Sequence, residues 1–131
     1  MLKEVIGRVT VEGRALPIAQ ANRAGDFLFV SGQLPLDGDH RPIGGDMASQ
    51  TRRAILNLER VAQSAGASLE DVVKISAFLT DKTNFAAFNS VYDEYFGSCP
   101  PARCTVVVGL LVNVLVELDA IIYCPPLRAK L

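Results

Sequence analysis

Apolar residues recur along this chain in two rhythms, and the alternation of those rhythms predicts its elements. Ile55, Leu58, Val61, Ala62 and Ala65 are spaced as one face of a helix, with Arg52, Arg53, Glu59, Arg60 and Gln63 mostly on the wet side. Asp46 has the character of an N-cap ahead of this stripe, and Gly66 that of a C-terminal stop. A second stripe, Phe85, Phe88, Val91, Tyr92 and Tyr95, predicts another helix, capped by Thr83 or Asn84 and ended by Gly97. Pro100 and Pro101 forbid its continuation. The strand rhythm appears at residues 3–11, ended by Glu12-Gly13, and at 72–79. Residues 27–30 form a short apolar run between Gly25-Asp26 and Ser31-Gly32 and read as a buried strand. Residues 104–109 and 115–123 predict a closing hairpin with a turn near Val112 and Asn113. Residues 14–24 carry little periodicity and are expected to be an irregular approach loop; residues 35–45, with Asp37-Gly38 and Gly44-Gly45, read as a second loop.

The predicted order is β-β-α-β-α-β-β. The simplest solution for it is an α/β fold of the α+β type, with two helices on one face of a mixed sheet. At 131 residues the chain fits a single domain spanning 1–131, large enough for one core. Apolar residues make up 50% and charged residues 21%, and two helices leave one apolar sheet face without cover. Such a face marks a partner surface, so an oligomer is expected.

The formal net charge is −1, from 13 basic and 14 acidic residues, which argues against a dedicated nucleic-acid partner. Cys99, Cys104 and Cys124 are odd in number and lack C-x-x-C spacing, so neither a disulfide framework nor a cysteine-rich metal site is expected. The opening MLKEVIGRVTVEGR does not read as a signal peptide, and apolar runs such as 106–112 fall far short of a membrane span. A cytoplasmic setting is the expectation.

P-loop, G-x-G-x-x-G, H-E-x-x-H and G-x-S-x-G patterns are absent from the sequence, and its one histidine, His40, lies in a polar loop between Asp39 and Arg41. The chemistry-bearing residues lie elsewhere. Arg103 follows Pro100-Pro101-Ala102, which fix the backbone ahead of it, and its planar fork suits a carboxylate. Strand alternation puts Arg103 with Thr105, and Glu117 with Asp119; a hairpin register pairing residues of equal parity would join all four in one polar patch. The plainer alternative is a solvated face, or a structural ion pair with Arg103. Cys104, by the same parity, is expected to be a buried, inert thiol. Ser31-Gly32 is either a simple turn or a place where backbone amides meet an anion.

Taken together, these segments resemble the Rid (YjgF-like) family. The resemblance rests on residues 24–36 (AGDFLFVSGQLPL), on Gly44-Gly45-Asp46 with Gln50-Thr51-Arg52, and on Asp71-Val72-Val73-Lys74 with Leu79-Thr80-Asp81. It continues through Phe88-Asn89-Ser90-Val91-Tyr92-Asp93-Glu94-Tyr95-Phe96, then Pro100-Pro101-Ala102-Arg103, to Val116-Glu117-Leu118-Asp119-Ala120-Ile121. It covers nearly everything from Pro17 to Tyr123. It implies a chorismate-mutase-like fold, a homotrimer with sites in the clefts between subunits, and cofactor-free, metal-free hydrolytic deamination of reactive 2-imino or enamine acids to 2-keto acids. By the same resemblance, Arg103 and the Gly32 amide hold the substrate carboxylate, beside Ser31, while Glu117 orients or activates water, beside Thr105. The chain departs from the family pattern in three places. Ile18 stands where a tyrosine hydroxyl contacts substrate, Thr105 where a cysteine is common, and the turn before the last strand is about one residue shorter and lacks its proline. Ile18 suits a larger or more apolar substrate. Two other functions compete with deamination: a non-catalytic carboxylate-binding regulator, and an RNA-cleaving protein.

Overall fold

The structure, a computed structural model, describes residues 3–126. Its elements are β1 (Glu4–Val11), β2 (Arg14–Ala24), β3 (Phe27–Gln33), α1 (Met47–Ser64), β4 (Val72–Leu79), α2 (Phe85–Phe96), β5 (Ala102–Val107) and β6 (Val116–Tyr123). Short 3-10 turns at Leu69–Asp71 and Lys82–Asn84 lead into β4 and α2. One six-stranded sheet runs in the order β1-β2-β3-β6-β4-β5. Only β4 and β5 pair in parallel, as expected of strands joined by a helical crossover, here α2.

Both helices form where the 3.6-residue rhythm places them. Asp46 caps α1 by accepting a hydrogen bond from the Ser49 amide at 2.8 Å, and Gly66, at φ +87, ends it in the left-handed region. Asn84, one of the two expected residues, stands at the N-cap of α2, although its side chain makes no cap hydrogen bond. Asp81 caps the 3-10 turn ahead of it: its carboxylate accepts from the amide and the hydroxyl of Thr83, both at 2.8 Å. The helices lie on one sheet face. The core between the layers is built from Leu28 and Val30 of β3, Ile75, Ala77 and Leu79 of β4, and Val116, Leu118 and Ile122 of β6, against Ile55, Leu58, Phe88 and Phe96.

Two expectations fail. Residues 14–24 form a strand, β2, rather than a loop. Small residues and Pro17 blur its alternation, and the β1–β2 register shifts between Arg8 and Thr10, opposite the stretch that holds this proline. A bulge is where a sheet tolerates a residue with no amide hydrogen. The closing hairpin does not exist either. β4 lies between β5 and β6, pairing parallel with one and antiparallel with the other. The connection passes under α1, where Gln50 donates to the Gly45 carbonyl at 3.0 Å and accepts from the Leu115 amide at 2.8 Å.

The second sheet face carries Phe27, Phe29, Phe78, Val106, Ile121 and Tyr123, and its large side chains are open: Phe29 is 48% and Tyr123 47% exposed. No helix of the described residues is long and apolar enough to cross a membrane.

Candidate functional site

Register decides where the chemistry lies. Arg103 pairs with Ile75 and Thr105 with Ala77, both core residues, so Arg103 and Thr105 project into the helix layer. Glu117 pairs with Phe78 and Asp119 with Ser76, so both acids project from the open face. The single polar patch expected from equal parity is therefore absent within one chain; the inserted β4 puts the two pairs on opposite faces. Cys104 is corrected with them. It pairs with Ser76 on the acids' face and is exposed.

The Arg103 half is built by β5 and α2. The guanidinium carbon stands 4.6 Å from the Tyr92 ring centroid, 5.4 Å from Phe88 and 5.8 Å from Phe85. An aromatic bed attracts the cation but uses few of its N–H donors. Among the described residues Arg103 forms no ion pair. It lines a cavity of about 480 Å³ with Asn89, Ser90, Tyr92, Asp93 and Pro100. Burial pushes the Tyr92 hydroxyl pKa up, and the charge and N–H donors of Arg103 beside it oppose that rise. The Thr105 hydroxyl oxygen is buried, with no hydrogen-bond partner among the described residues. This half can hold a small anion with fixed geometry.

The Glu117 half is built by β6 and β3. Ser31-Gly32 is a bulge inside β3 rather than a turn: the β3–β6 register shifts between Val30 and Gln33. Ser31 Oγ donates to the Ala19 carbonyl at 2.6 Å, and the buried Gln33 side chain donates to the Ser31 carbonyl at 3.0 Å. The bulge is thus held from both sides, and the Glu117 carboxyl lies directly on Gly32. A Cβ at that position would meet Glu117 Cδ at 3.0 Å and Oε2 closer still. Burial pushes the Glu117 pKa above its ordinary 4.5, and the neighbouring Asp119 charge adds to the rise. A carboxylate that resists ionisation, beside a backbone bulge, can hold and exchange a water proton. Ile18, on β2, is 45% exposed.

Gly32→Ala is therefore expected to displace the Glu117 carboxyl without unfolding the chain. The melting temperature should move little, while the Glu117 carboxyl, pushed off the bulge into more open surroundings, should titrate closer to its ordinary value. Thermal unfolding and an NMR titration of Glu117 check this; an unchanged Glu117 titration would contradict it.

Arg103, Thr105, Glu117, Ser31, Gly32 and Ile18 were all legible as candidates. Tyr92 and Phe88 were legible only as a helix stripe, and Asn89 and Asp93 only as motif members. Their joint lining of the Arg103 cavity depends on α2 packing beside β5, which spacing alone does not give. Gln33 was legible only as a member of the motif at residues 24–36.

A mixed sheet with two helices on one face, an arginine over aromatic rings at its edge and an acid on a glycine bulge define the class. The sequence profile of the family described as Endoribonuclease L-PSP matches residues 13–124. A RutC family protein of Pyrococcus abyssi is 45% identical over 125 residues, covering 94% of this chain and 98% of its own. Protein MMF1, mitochondrial, of Saccharomyces cerevisiae is 37% identical over 108 residues, covering 82% and 74%. The crystal structure of yeast Mmf1 superimposes with a TM-score of 0.86 at 32% identity, over 93% of this chain and 98% of that one. RidA from an Antarctic Psychrobacter gives 0.79 at 30% identity, over 90% and 94%. The chain belongs to the Rid (YjgF-like) family.

Proposed function

We propose that this protein hydrolyses small 2-imino or enamine acids to 2-keto acids and ammonia, without a cofactor, at sites shared between copies of the chain. The observation that carries the reading is Arg103: a cation on an aromatic bed, in no ion pair among the described residues, lining a cavity of small-molecule size. Family membership supports the rest, since the name RidA belongs to a structural neighbour.

The opposite orientations of Arg103 and Glu117 favour a composite site. Within one chain they point apart, so a ligand gripped by Arg103 meets the Glu117 and Gly32 of a neighbouring copy. A homotrimer closes this head-to-tail arrangement, and the apolar open face gives it a surface to bury. Assembly should therefore have three times the chain mass of 14.1 kDa. Phe29→Glu on the open face should break it to monomers and remove activity with it; light scattering and an activity assay check both. A fully active monomer would contradict the shared site.

The chemistry asks little of the protein. The carbon of the imine is already electrophilic, so positioning and one proton carrier suffice. Arg103 and the Gly32 amide hold the carboxylate. With the imine nitrogen protonated, Glu117 takes a proton from water as the water oxygen bonds to C2, giving a neutral carbinolamine. Glu117 returns that proton to the nitrogen; the C–N bond then breaks as the C=O forms, and the hydroxyl proton passes to the departing ammonia, leaving the keto acid and ammonium. Ser31 stabilises the bulge, Thr105 offers its unpartnered hydroxyl beside Arg103, and Ile18 favours a more apolar side chain on the substrate. The three free cysteines and the absence of any expected disulfide suit a cytoplasmic site of action.

The test is keto-acid release from imines generated in place by an amino-acid oxidase or a threonine dehydratase. Acceleration by the assembled protein is expected, and no acceleration with any small imino acid would overturn the reading. Ile18, in place of a hydroxyl, favours one second reading, a carboxylate-binding regulator. Calorimetric binding of 2-ketobutyrate with no turnover would select it. RNA cleavage, which the family description names, gains no support from a net charge of −1.

A further inference from the structure

We propose that the Arg103 cavity selects ligands carrying both a carboxylate and a nitrogen cation, with Asp93 receiving the cation. This rests on the reading of Arg103 as the carboxylate holder, and it names a specificity residue and a protonation state for the substrate.

Asn89 and Asp93 lie one turn apart on α2 and share the wall of the cavity that Arg103 lines. Arg103 and Asp93 are opposite charges on one cavity, yet they are not paired with each other. Among the described residues, neither belongs to an ion pair at all. The contrast with the next residue is direct: Glu94 is held by Arg52 at 2.7 Å.

Asp93 is also at the wrong end of its helix. It lies in the last turn of α2, where the unsatisfied carbonyls already concentrate negative potential, and that turn contains no basic residue. A cation arriving here meets the helix-end carbonyls as well as the carboxylate. The Asp93 carboxylate lies back over the helix end: a Cβ at Gly97 would stand 2.6 Å from both Asp93 Oδ1 and the Asp93 carbonyl oxygen, a placement that glycine permits.

Two charges of opposite sign that line one open cavity, Arg103 half-buried and Asp93 exposed, and that are not paired with each other match a zwitterion. A 2-imino acid protonated at nitrogen is such a species, and so is an α-amino acid; a 2-keto acid is not. Protonation at nitrogen also makes C2 more electrophilic, so an anion at Asp93 favours the reactive form. After hydrolysis the nitrogen leaves as ammonium. The keto acid then has only its carboxylate contact and departs more readily.

The test uses the assembled full chain and two stable probes of equal carbon length, L-2-aminobutyrate as the zwitterion and 2-ketobutyrate as the simple anion. By isothermal calorimetry the wild type should bind the amino acid more tightly than the keto acid. Asp93→Asn should weaken amino-acid binding by about two- to fivefold, the range for an exposed charge contact. It should leave keto-acid binding unchanged or slightly tighter. Asp93→Glu should recover part of the preference, which a merely structural role would not do. An Asp93→Asn protein with an unaltered ratio of the two affinities overturns the inference while leaving the Arg103 reading intact. So does a wild type that binds 2-ketobutyrate but not L-2-aminobutyrate. If Arg103→Ala changes the binding of neither probe, the carboxylate reading itself is overturned, and this inference falls with it.

Discussion

Arg103→Ala should abolish carboxylate capture while leaving the fold and the assembly in place. Arg103 is half-buried on the edge strand β5, against Phe85, Phe88 and Tyr92. Removing it takes away one packing partner but leaves no buried acid unpaired among the described residues, so the stability cost is small. The binding cost is large. Truncating one partner of a hydrogen-bonded charge pair costs roughly 2–5 kcal/mol, or about thirtyfold to several-thousandfold in affinity. Arg103→Lys keeps the charge and loses the planar fork, so it should fall between the two. Calorimetric titration with 2-ketobutyrate measures all three proteins. Equal affinity for wild type and Arg103→Ala would remove Arg103 from the site.

Glu117→Gln should separate binding from turnover. The amide keeps the shape that rests on Gly32 but cannot take a proton, so kcat should fall by about 10²–10⁴ while KM changes little. Its pH behaviour is specific. Burial, with the Asp119 charge beside it, raises the Glu117 pKa above 4.5 in the folded chain. The folded state therefore disfavours the ionised form. As pH rises through 4.5 towards the raised value, ionisation costs some stability, and above it that cost is fully present. Catalysis by the carboxylate as base runs the other way, so turnover should climb with pH through the same raised value. The Gln variant should lose that acidic limb and be as stable as wild type, or slightly more so, at neutral pH. A variant that retains the limb would assign it to another group.

Both halves of the proposed site were legible as residues, and the family resemblance implied clefts between subunits, but strand rhythm alone put the halves together in one chain. Ile55, Leu58 and Val61 announced α1 because helical spacing, an N-cap and a terminal glycine are all local signals. The β2 strand was hidden because Ala15, Ala19, Ala21 and Ala24 offer little contrast with the polar residues between them, and Pro17 interrupts the run. The placement of β6 between β3 and β4 is a long-range pairing that no local rhythm encodes. That one fact controls the site. Reading β5 and β6 as neighbours put Arg103 beside Glu117 in one chain, whereas pairing through Ile75 and Phe78 turns them to opposite faces. The same pairing brings Cys104 into the open. What was first a salt-bridge candidate becomes a case for two chains sharing one site.

Subunit mixing tests that case most directly. Arg103→Ala and Glu117→Gln chains, each inactive alone, are to be unfolded together, reassembled and assayed for imine hydrolysis, with differently tagged chains confirming that mixed assemblies formed. If each site takes Arg103 from one copy and Glu117 from the next, every mixed ring contains an intact site, and activity should return to roughly a quarter of wild type for random closed trimers. Mixed assemblies as inactive as their parents would contradict the shared site.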